Sequence, residues 1–272
     1  NEGEPYELEL YRSAIGSLIY LATWTRVDIA YAVSALAAHM ANPSRDHHVA
    51  LRHLLYYLHG TRDKGITYHD NDGHGINKLY GFVDADYAGD KSTRRSVSGI
   101  ILYVNDNPIK WYSKRQNTIE TSTYGAELVA MRIAVEFIME FRYKLRMMGM
   151  PLHGPSLLFC DNKGVVLNTT LPSSTLKKKH NAITYQETRE AVAANIIKIL
   201  HIEGTENVAD ILTKPLEGGS FRKHVGKYMN RIPGPFWGVS EVHGTPSNVP
   251  HEVPKVSDQE PSREVKNDLK PP

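Results

Sequence analysis

Residues 79–90 read Leu79-Tyr80-Gly81-Phe82-Val83-Asp84-Ala85-Asp86-Tyr87-Ala88-Gly89-Asp90. The first five residues alternate in a β-rich pattern that predicts a strand. Asp84 stands at the C-terminal end of this strand. In open sheets that contain parallel strands, ligands gather beyond the carboxyl ends of the strands, so Asp84 is a candidate functional residue.

The residues that follow predict an α/β fold with the element order βββαβααβα. The first three strands are expected to be antiparallel, because Asn105, Asp106 and Asn107 between the second and third have hairpin-turn chemistry. After the strand at 79–84, the predicted elements are strands at 97–104, 108–112, 156–160 and 196–202, helices at 121–148, 181–194 and 205–213, and a helix that opens at Asp161-Asn162. The five strands form the predicted mixed sheet.

The residues that precede and follow the predicted sheet in the sequence differ from it in apolar periodicity and in proline content. Residues 1–70 carry apolar residues at helical spacing and predict three short amphipathic helices, with Asp28 and Ser44 as N-caps and Gly60 at the end of the third. Residues 231–272 contain 8 of the 15 prolines and lack apolar periodicity, which predicts a disordered tail. The predicted divisions are 1–70, 76–216, a C-terminal extension at 217–230, and 231–272.

Composition narrows the class of protein only slightly. The 272 residues include 32 Lys and Arg against 30 Asp and Glu, so bulk charge does not indicate a nucleic-acid binder. A single cysteine, Cys160, excludes an intrachain disulfide and the usual cysteine-rich zinc cluster, which fits a reducing intracellular compartment. Because the sequence lacks an apolar run of about 20 residues, we expect no association with a membrane. The missing initiator Met suggests a piece of a longer protein.

Four carboxylates occupy informative positions in the predicted order: Asp84 and Asp161 at strand ends, Glu127 in the long helix and Asp210 in the last helix. Taken singly, each has an ordinary structural explanation, such as a helix cap or a solvated helix residue. Together they would converge, repel one another and require a counter-charge. Oxygen ligands suit Mg²⁺, which is often bound in pairs for phosphoryl chemistry.

Residues 8 to about 230 resemble the C-terminal part of copia-type retrotransposon Pol polyproteins, that is, the end of the reverse transcriptase followed by its ribonuclease H domain. The resemblance covers most of the chain and rests on many ordered matches. The matching stretches are Tyr11–Leu21, Thr25–Val33, Gly81–Asp90, Ser96–Gly99, Trp111–Gln116, Ser122–Glu127, Cys160–Asn162 and Asn207–Leu216.

The resemblance implies a ribonuclease H-like fold whose metal site maps onto Asp84, Glu127, Asp161 and Asp210. Asp86 competes with Asp84 for the first position, but it shares the strand face only if the strand continues that far. The implied cofactor is Mg²⁺, with two ions and Mn²⁺ as a substitute. The implied activity is hydrolysis of the RNA strand of RNA/DNA hybrids, with the 2′-hydroxyl distinguishing the two strands.

The implied partners are the hybrid and the upstream reverse transcriptase region. The implied location is intracellular, in a cytoplasmic virus-like particle if the element is active. Residues 1–70 resemble the last helices of a reverse transcriptase, but they lack the Tyr-x-Asp-Asp polymerase motif. Polymerisation by this chain alone is therefore not expected. The alternative is a catalytically inactive nucleic-acid-binding relic of a decayed element, and a third reading is a structural module that supports a polymerase.

Basic residues supply the predicted hybrid-binding surface, with Trp111, Tyr112 and Tyr124 nearby for stacking. The candidates are Arg94, Arg95, Lys114, Arg115, Lys177, Lys178, Lys179 and His180. Residues 76–216 contain 18 Lys and Arg against 14 Asp and Glu, so this region is more basic than the whole chain. The loop at 203–206 lacks the mobile His of many cellular relatives. His180 is expected to have a structural or phosphate-contacting role, and His201 to be a core residue.

Overall fold

The alternating stretch at 79–90 forms an inner strand of a five-stranded mixed sheet. The computed structural model describes residues 5–69, 77–90, 93–176 and 181–231. Helices α1, α2 and α3 precede the sheet, and a short strand β1 follows them. Their bounds are Pro5–Trp24 (α1), Ala30–Ala37 (α2), Arg45–Gly60 (α3) and Lys64–Ile66 (β1), with a 3₁₀ helix at Val27–Ile29. The three predicted N-terminal helices are therefore present.

The sheet has the strand order β4-β3-β2-β5-β6. Strands β2, β3 and β4 are antiparallel neighbours, whereas β5 is parallel to β2 and β6 is parallel to β5. The elements are β2 (Leu79–Asp86), β3 (Val97–Val104), β4 (Asn107–Arg115), α4 (Thr123–Met147), β5 (Ser156–Cys160), α5 (Lys163–Thr170), α6 (Ala182–Ala193) and β6 (Ile197–His201). This arrangement confirms the predicted ribonuclease H-like α/β fold.

The two faces of the sheet have different partners. On one face, Val83, Ile100 and Leu158 pack against α4 residues such as Met131, and all four side chains are almost completely buried. Each such side chain contributes roughly 1.5–3 kcal/mol relative to leaving it exposed. This packing holds β2 and β5 side by side beneath α4, which fixes the positions of the strand ends.

The opposite face carries Asp84 and an aromatic cluster. The rings of Phe82 and Phe159 stack with centroids 5.1 Å apart, and Tyr103 meets Phe82 edge-on. Asp84 pairs across the sheet with Gly99, so both lie on this face. A Cβ on Gly99 would lie 2.8 Å from the Ala209 carbonyl oxygen, so glycine is needed for the last 3₁₀ helix to approach the sheet.

The predicted last helix at 205–213 is instead two short 3₁₀ segments, Gly204–Glu206 and Val208–Leu212. Asn207 separates them, because its buried side chain donates to the Val83 carbonyl oxygen (3.0 Å) and accepts from the Ala209 N–H (3.2 Å). These bonds dock the segment on β2 and stop an uninterrupted helix. The helical pattern in the sequence could not reveal this tertiary contact.

The predicted extension at 217–230 contains helix α7 (Gly218–Val225) and leads into strand β7 (Met229–Arg231). Strand β7 pairs antiparallel with β1, with Gly65 opposite Asn230. Both strands are only three residues long, too short for a periodic signal. The extension is thus joined to the end of the N-terminal helical segment.

The N-terminal helices contact the sheet region. Trp111 on β4 donates its indole N–H to the Ala22 carbonyl oxygen at the end of α1. Trp111 therefore ties β4 to the helical segment, and its expected stacking on nucleic acid stays a prediction. The predicted division between 1–70 and 76–216 stays a prediction. The predicted tail lies outside the described residues, apart from Arg231 at its start.

Asp28 is not the predicted N-cap of α2. It lies in the 3₁₀ helix Val27–Ile29, and its buried carboxylate accepts from Arg26 Nε (3.0 Å), from Arg26 Nη2 (2.7 Å) and from the Tyr57 hydroxyl (2.6 Å). Arg26 Nη2 also donates to Thr61 Oγ1 (2.7 Å). The other predicted cap is confirmed, since α3 begins after Ser44. Among the helices in the described ranges, none has the length and apolar character to cross a membrane.

Candidate metal centre

Three carboxylates converge on the second face of the sheet, at the carboxyl ends of two strands. Asp84 lies on β2, Asp161 directly follows β5, and Asp210 lies in the 3₁₀ helix Val208–Leu212. Each offers an oxygen within 4.8 Å of the other two. They meet because β2 and β5 are parallel neighbours and because Asn207 docks the 3₁₀ helix beside them.

Glu127 joins this cluster from the first turns of α4. Glu127, Cys160 and Asp161 also offer ligand atoms within 4.8 Å of one another, so Asp161 is common to both groups. Asn162 Nδ2 donates to Glu127 Oε1 (3.1 Å), which holds the carboxylate toward β5. The structure thus brings together all four acids that the sequence singled out.

Asp86, the alternative to Asp84, is the last residue of β2 and lies beside the cluster. Burial raises the pKa of its carboxyl group, Lys214 opposes this rise and the charge of Asp84 adds to it. Its carboxylate lies against the backbone of Gly89, where an added Cβ would be 1.8 Å from Oδ2. Asp86 contributes, after burial, to raising the pKa of Tyr31 in α2. Within the described ranges, the carboxylate groups that could share a metal ion include Asp84 and not Asp86.

The acidic cluster is electrostatically crowded. Burial, together with the charges of Asp161 and Asp84, raises the pKa of Glu127 to about 7. Burial and the charge of Asp84 likewise raise the pKa of Asp210 to about 7. The pKa of Asp161 is raised by burial and by Asp84. The carboxyl groups of Glu127, Asp161 and Asp210 therefore resist ionisation until more positive charge is supplied.

Thr213 and Lys214 complete the cluster and were not among the predicted site residues. Thr213 donates its hydroxyl to Asp84 Oδ2. Lys214 Nζ lies 3.0 Å from Asp210 Oδ1 and 3.7 Å from Asp84 Oδ2. The spacing of four residues between Asp210 and Lys214 is an ion-pair signal that sequence reasoning could have used.

The donor set fits a hard divalent cation. Asp161 Oδ1 is buried, and no hydrogen-bond partner reaches it from the described parts of the chain. Such an orphaned carboxylate oxygen beside three further carboxylates matches the oxygen ligands of Mg²⁺. Asp84, Glu127, Asp161 and Asp210 are the residues that would hold it.

The predicted nucleic-acid-binding residues fall into three groups. Arg94 is exposed in the loop before β3, Lys114 is exposed near the end of β4, and Arg95 is half-buried. Arg115 forms an ion pair with Asp90, so its charge is partly engaged within the protein. Lys177, Lys178, Lys179 and His180 lie outside the described residues. Tyr112, expected nearby for stacking, packs edge-on against Phe137.

His201 is not the core residue that the sequence predicted, because its side chain is only half-buried. It stands at the end of β6, and its Nε2 lies 3.2 Å from the Asp161 backbone oxygen. The loop at 203–206 runs past the acidic cluster, where a Cβ on Gly204 would lie 3.3 Å from Asp161 Oδ2. Glu206 in this loop points to Lys223 and Lys227 and forms ion pairs with both.

Comparison with known proteins places the chain among transposon polyproteins. No family model matches it. It is 35% identical over 224 residues to the retrovirus-related Pol polyprotein from transposon RE1 of Arabidopsis thaliana, a match covering 82% of this chain and 15% of that protein. It is 32% identical over 224 residues to the Pol polyprotein from transposon TNT 1-94 of Nicotiana tabacum, covering 81% of this chain and 16% of that protein.

Among solved structures, the chain is similar to LC11-RNase H1 in complex with an RNA/DNA hybrid, with a TM-score of 0.41 and 17% identity over 50% of this chain and 94% of that one. The strand order of the sheet defines a ribonuclease H-like α/β protein. More specifically, the chain belongs to the retrovirus-related Pol polyproteins of transposons. It spans 15 to 16% of the length of these two polyproteins.

The raised carboxyl pKa values predict how stability depends on pH. Glu127 and Asp210 have a pKa of about 7 in the folded protein, against 4.5 and 3.8 for the ordinary carboxyl groups. The metal-free protein therefore loses stability as the pH rises from about 4 to about 7, because the folded state resists the ionisation that the unfolded state allows. A divalent ion relieves this loss only where the carboxylates ionise. We therefore expect Mg²⁺ to raise the melting temperature at about pH 8 and to have little effect at about pH 5, compared with EDTA.

Two variants on α4 make this measurement specific. Glu127→Gln removes a buried titrating carboxyl and should weaken both the pH dependence and the Mg²⁺ effect. Glu136→Gln alters an acid of the same helix that forms an i,i+4 pair with Arg132, and it should change neither. If the melting temperature of Glu127→Gln depends on pH and Mg²⁺ as strongly as that of the unmodified protein, the raised pKa does not belong to Glu127.

Proposed function

We propose that this chain is the ribonuclease H part of a transposon Pol polyprotein and that it hydrolyses the RNA strand of RNA/DNA hybrids during reverse transcription. The observation that carries the proposal is the convergence of Asp84, Glu127, Asp161 and Asp210 in a chain of this family. Four crowded carboxylates destabilise one another, which favours a function that supplies a cation.

The cofactor in this proposal is Mg²⁺, as two ions, with Mn²⁺ as a substitute. Asp84, Glu127, Asp161 and Asp210 would hold the ions, which would supply activation of water and stabilisation of the charge on the leaving oxygen. The protein's own part is to hold the ligands in place. Thr213 fixes Asp84 through its hydroxyl, and Asn162 fixes Glu127 through its side-chain amide.

The proposed substrate is a hybrid duplex, with products that carry a 3′-hydroxyl and a 5′-phosphate. The 2′-hydroxyl distinguishes the RNA strand from the DNA strand. Exposed Arg94 and Lys114 are proposed to contact phosphates, as are Arg95, Arg115, Lys177, Lys178, Lys179 and His180. The upstream reverse transcriptase region of the polyprotein is the proposed protein partner.

The test uses the purified chain, Mg²⁺ and a hybrid labelled on its RNA strand. We expect cleavage of the RNA strand, no cleavage of a DNA duplex of the same sequence, and complete loss of cleavage in EDTA. Absence of cleavage with an intact fold would contradict the proposal. Hybrid binding without metal-dependent cleavage would instead favour the catalytically inactive relic.

A further inference from the structure

Lys214 is placed between two of the acids that are proposed to bind metal. Its ammonium group lies 3.0 Å from Asp210 Oδ1 and 3.7 Å from Asp84 Oδ2. The Asp84 side chain is 6% exposed and that of Asp210 is 14% exposed, whereas that of Lys214 is 39% exposed. The lysine thus extends from the protein surface into a mostly buried acidic cluster.

We infer that Lys214 is a built-in counter-ion, which neutralises Asp84 and Asp210 in the metal-free protein and leaves them when a divalent cation binds. This inference rests on the proposed function of the acidic cluster. A divalent cation and the ammonium group compete for the same two oxygens, Asp84 Oδ2 and Asp210 Oδ1. Two positive groups at these oxygens would also repel each other.

The surroundings of Lys214 allow this exchange. Its partly exposed, flexible side chain can move its charge into solvent at small cost. Asp84 does not depend on the lysine for its position, because the Thr213 hydroxyl donates to the same Oδ2 atom. The carboxylate is therefore expected to stay in place when the ammonium group leaves.

A resident counter-ion has two opposing effects. It reduces the repulsion among the carboxylates, so the metal-free site keeps its arrangement. It also lowers the apparent affinity for a divalent cation, because the ion pairs with Asp84 and Asp210 must be broken before the cation binds. Lys214 would thereby set the cation concentration at which the site fills.

The test is to replace Lys214 by Met, which keeps the length of the side chain and removes its charge. Mn²⁺ binding is measured without nucleic acid, from the loss of the paramagnetic resonance signal of the free ion. We expect Lys214→Met to bind Mn²⁺ about tenfold more tightly than the unmodified protein, or about 1.4 kcal/mol. We also expect Lys214→Met to melt at a lower temperature than the unmodified protein in EDTA. Its melting temperature should rise more when Mn²⁺ is added.

Two further variants serve as controls. Lys214→Arg retains the charge and should bind Mn²⁺ no more tightly than the unmodified protein. Lys223→Met removes a comparable lysine that pairs with Glu206 outside the cluster, and it should leave Mn²⁺ affinity unchanged. Circular dichroism of each variant establishes that the fold is retained.

The possible results separate the inference from the proposed function. Equal Mn²⁺ affinity in Lys214→Met and the unmodified protein would overturn the counter-ion role and leave the metal site intact. Weaker binding by Lys214→Met would also overturn it, since the lysine would then assist the metal. If no variant binds Mn²⁺ and the unmodified protein does not either, the metal site itself fails, and the inference fails with it.

Discussion

Replacing Asp84 by Asn should reduce the proposed metal-dependent cleavage of the hybrid by about a thousandfold or more. The amide keeps the size of the side chain but removes the charge at the point where Asp161 and Asp210 meet it. Metal ions supply several kcal/mol of transition-state stabilisation, and a loss of about 4 kcal/mol corresponds to roughly a thousandfold in rate. The measurement is the single-turnover rate in saturating Mg²⁺.

Asp86→Asn is the matched control for this prediction. It makes the same chemical change two residues further along β2, at a carboxylate that packs against Gly89. We expect its rate to stay within about tenfold of the unmodified protein, a change of about 1.4 kcal/mol or less. A severe loss in Asp86→Asn with a mild one in Asp84→Asn would assign the first metal position to Asp86.

The sequence predicted the sheet well because each of its strands has a strong local signal. Strands β3 and β5 have the predicted bounds, since their apolar runs end at turn or polar residues. The short pair β1 and β7 was missed because three residues give no periodicity and their pairing spans most of the chain. The break at Asn207 was missed because it depends on a hydrogen bond to β2, far away in sequence.

The candidate site shows the same difference between local signals, which the sequence reveals, and contacts between distant residues, which it does not. The four acids could be selected from sequence because each stands at an informative place in an element, and their order resembles that of a known family. Lys214 had a local signal in its spacing of four residues from Asp210. Its contact with Asp84 and that of Thr213 were missed because Asp84 lies more than a hundred positions earlier. The contact between Trp111 and Ala22 was missed for the same reason.

Replacing Arg26 by Met should lower the free energy of unfolding by about 3–5 kcal/mol, because it leaves the buried Asp28 carboxylate without its charged partner. The Tyr57 hydroxyl can still donate to Asp28 but supplies no positive charge. The measurement is urea unfolding at equilibrium. Arg132→Met, which breaks a more exposed pair with Glu136, should cost less than about 1 kcal/mol.

The shape of the unfolding curve then tests whether residues 1–70 and 76–216 are separate domains. The 3₁₀ helix that contains Asp28 contacts the 3₁₀ helix that contains Asp210, and Trp111 on β4 is bonded to α1. If these contacts couple the two regions, Arg26→Met shifts a single transition that far-ultraviolet circular dichroism and the fluorescence of Trp111, measured with Trp24 and Trp237 replaced by Phe, report together. Two separate transitions, with only the first shifted by Arg26→Met, would support the domain division predicted from the sequence.

If the two regions unfold together, the N-terminal helices stabilise the metal centre by supporting the segment that carries Asp210. Removing these helices would then weaken Mn²⁺ binding, even though they supply no ligand among the four acids.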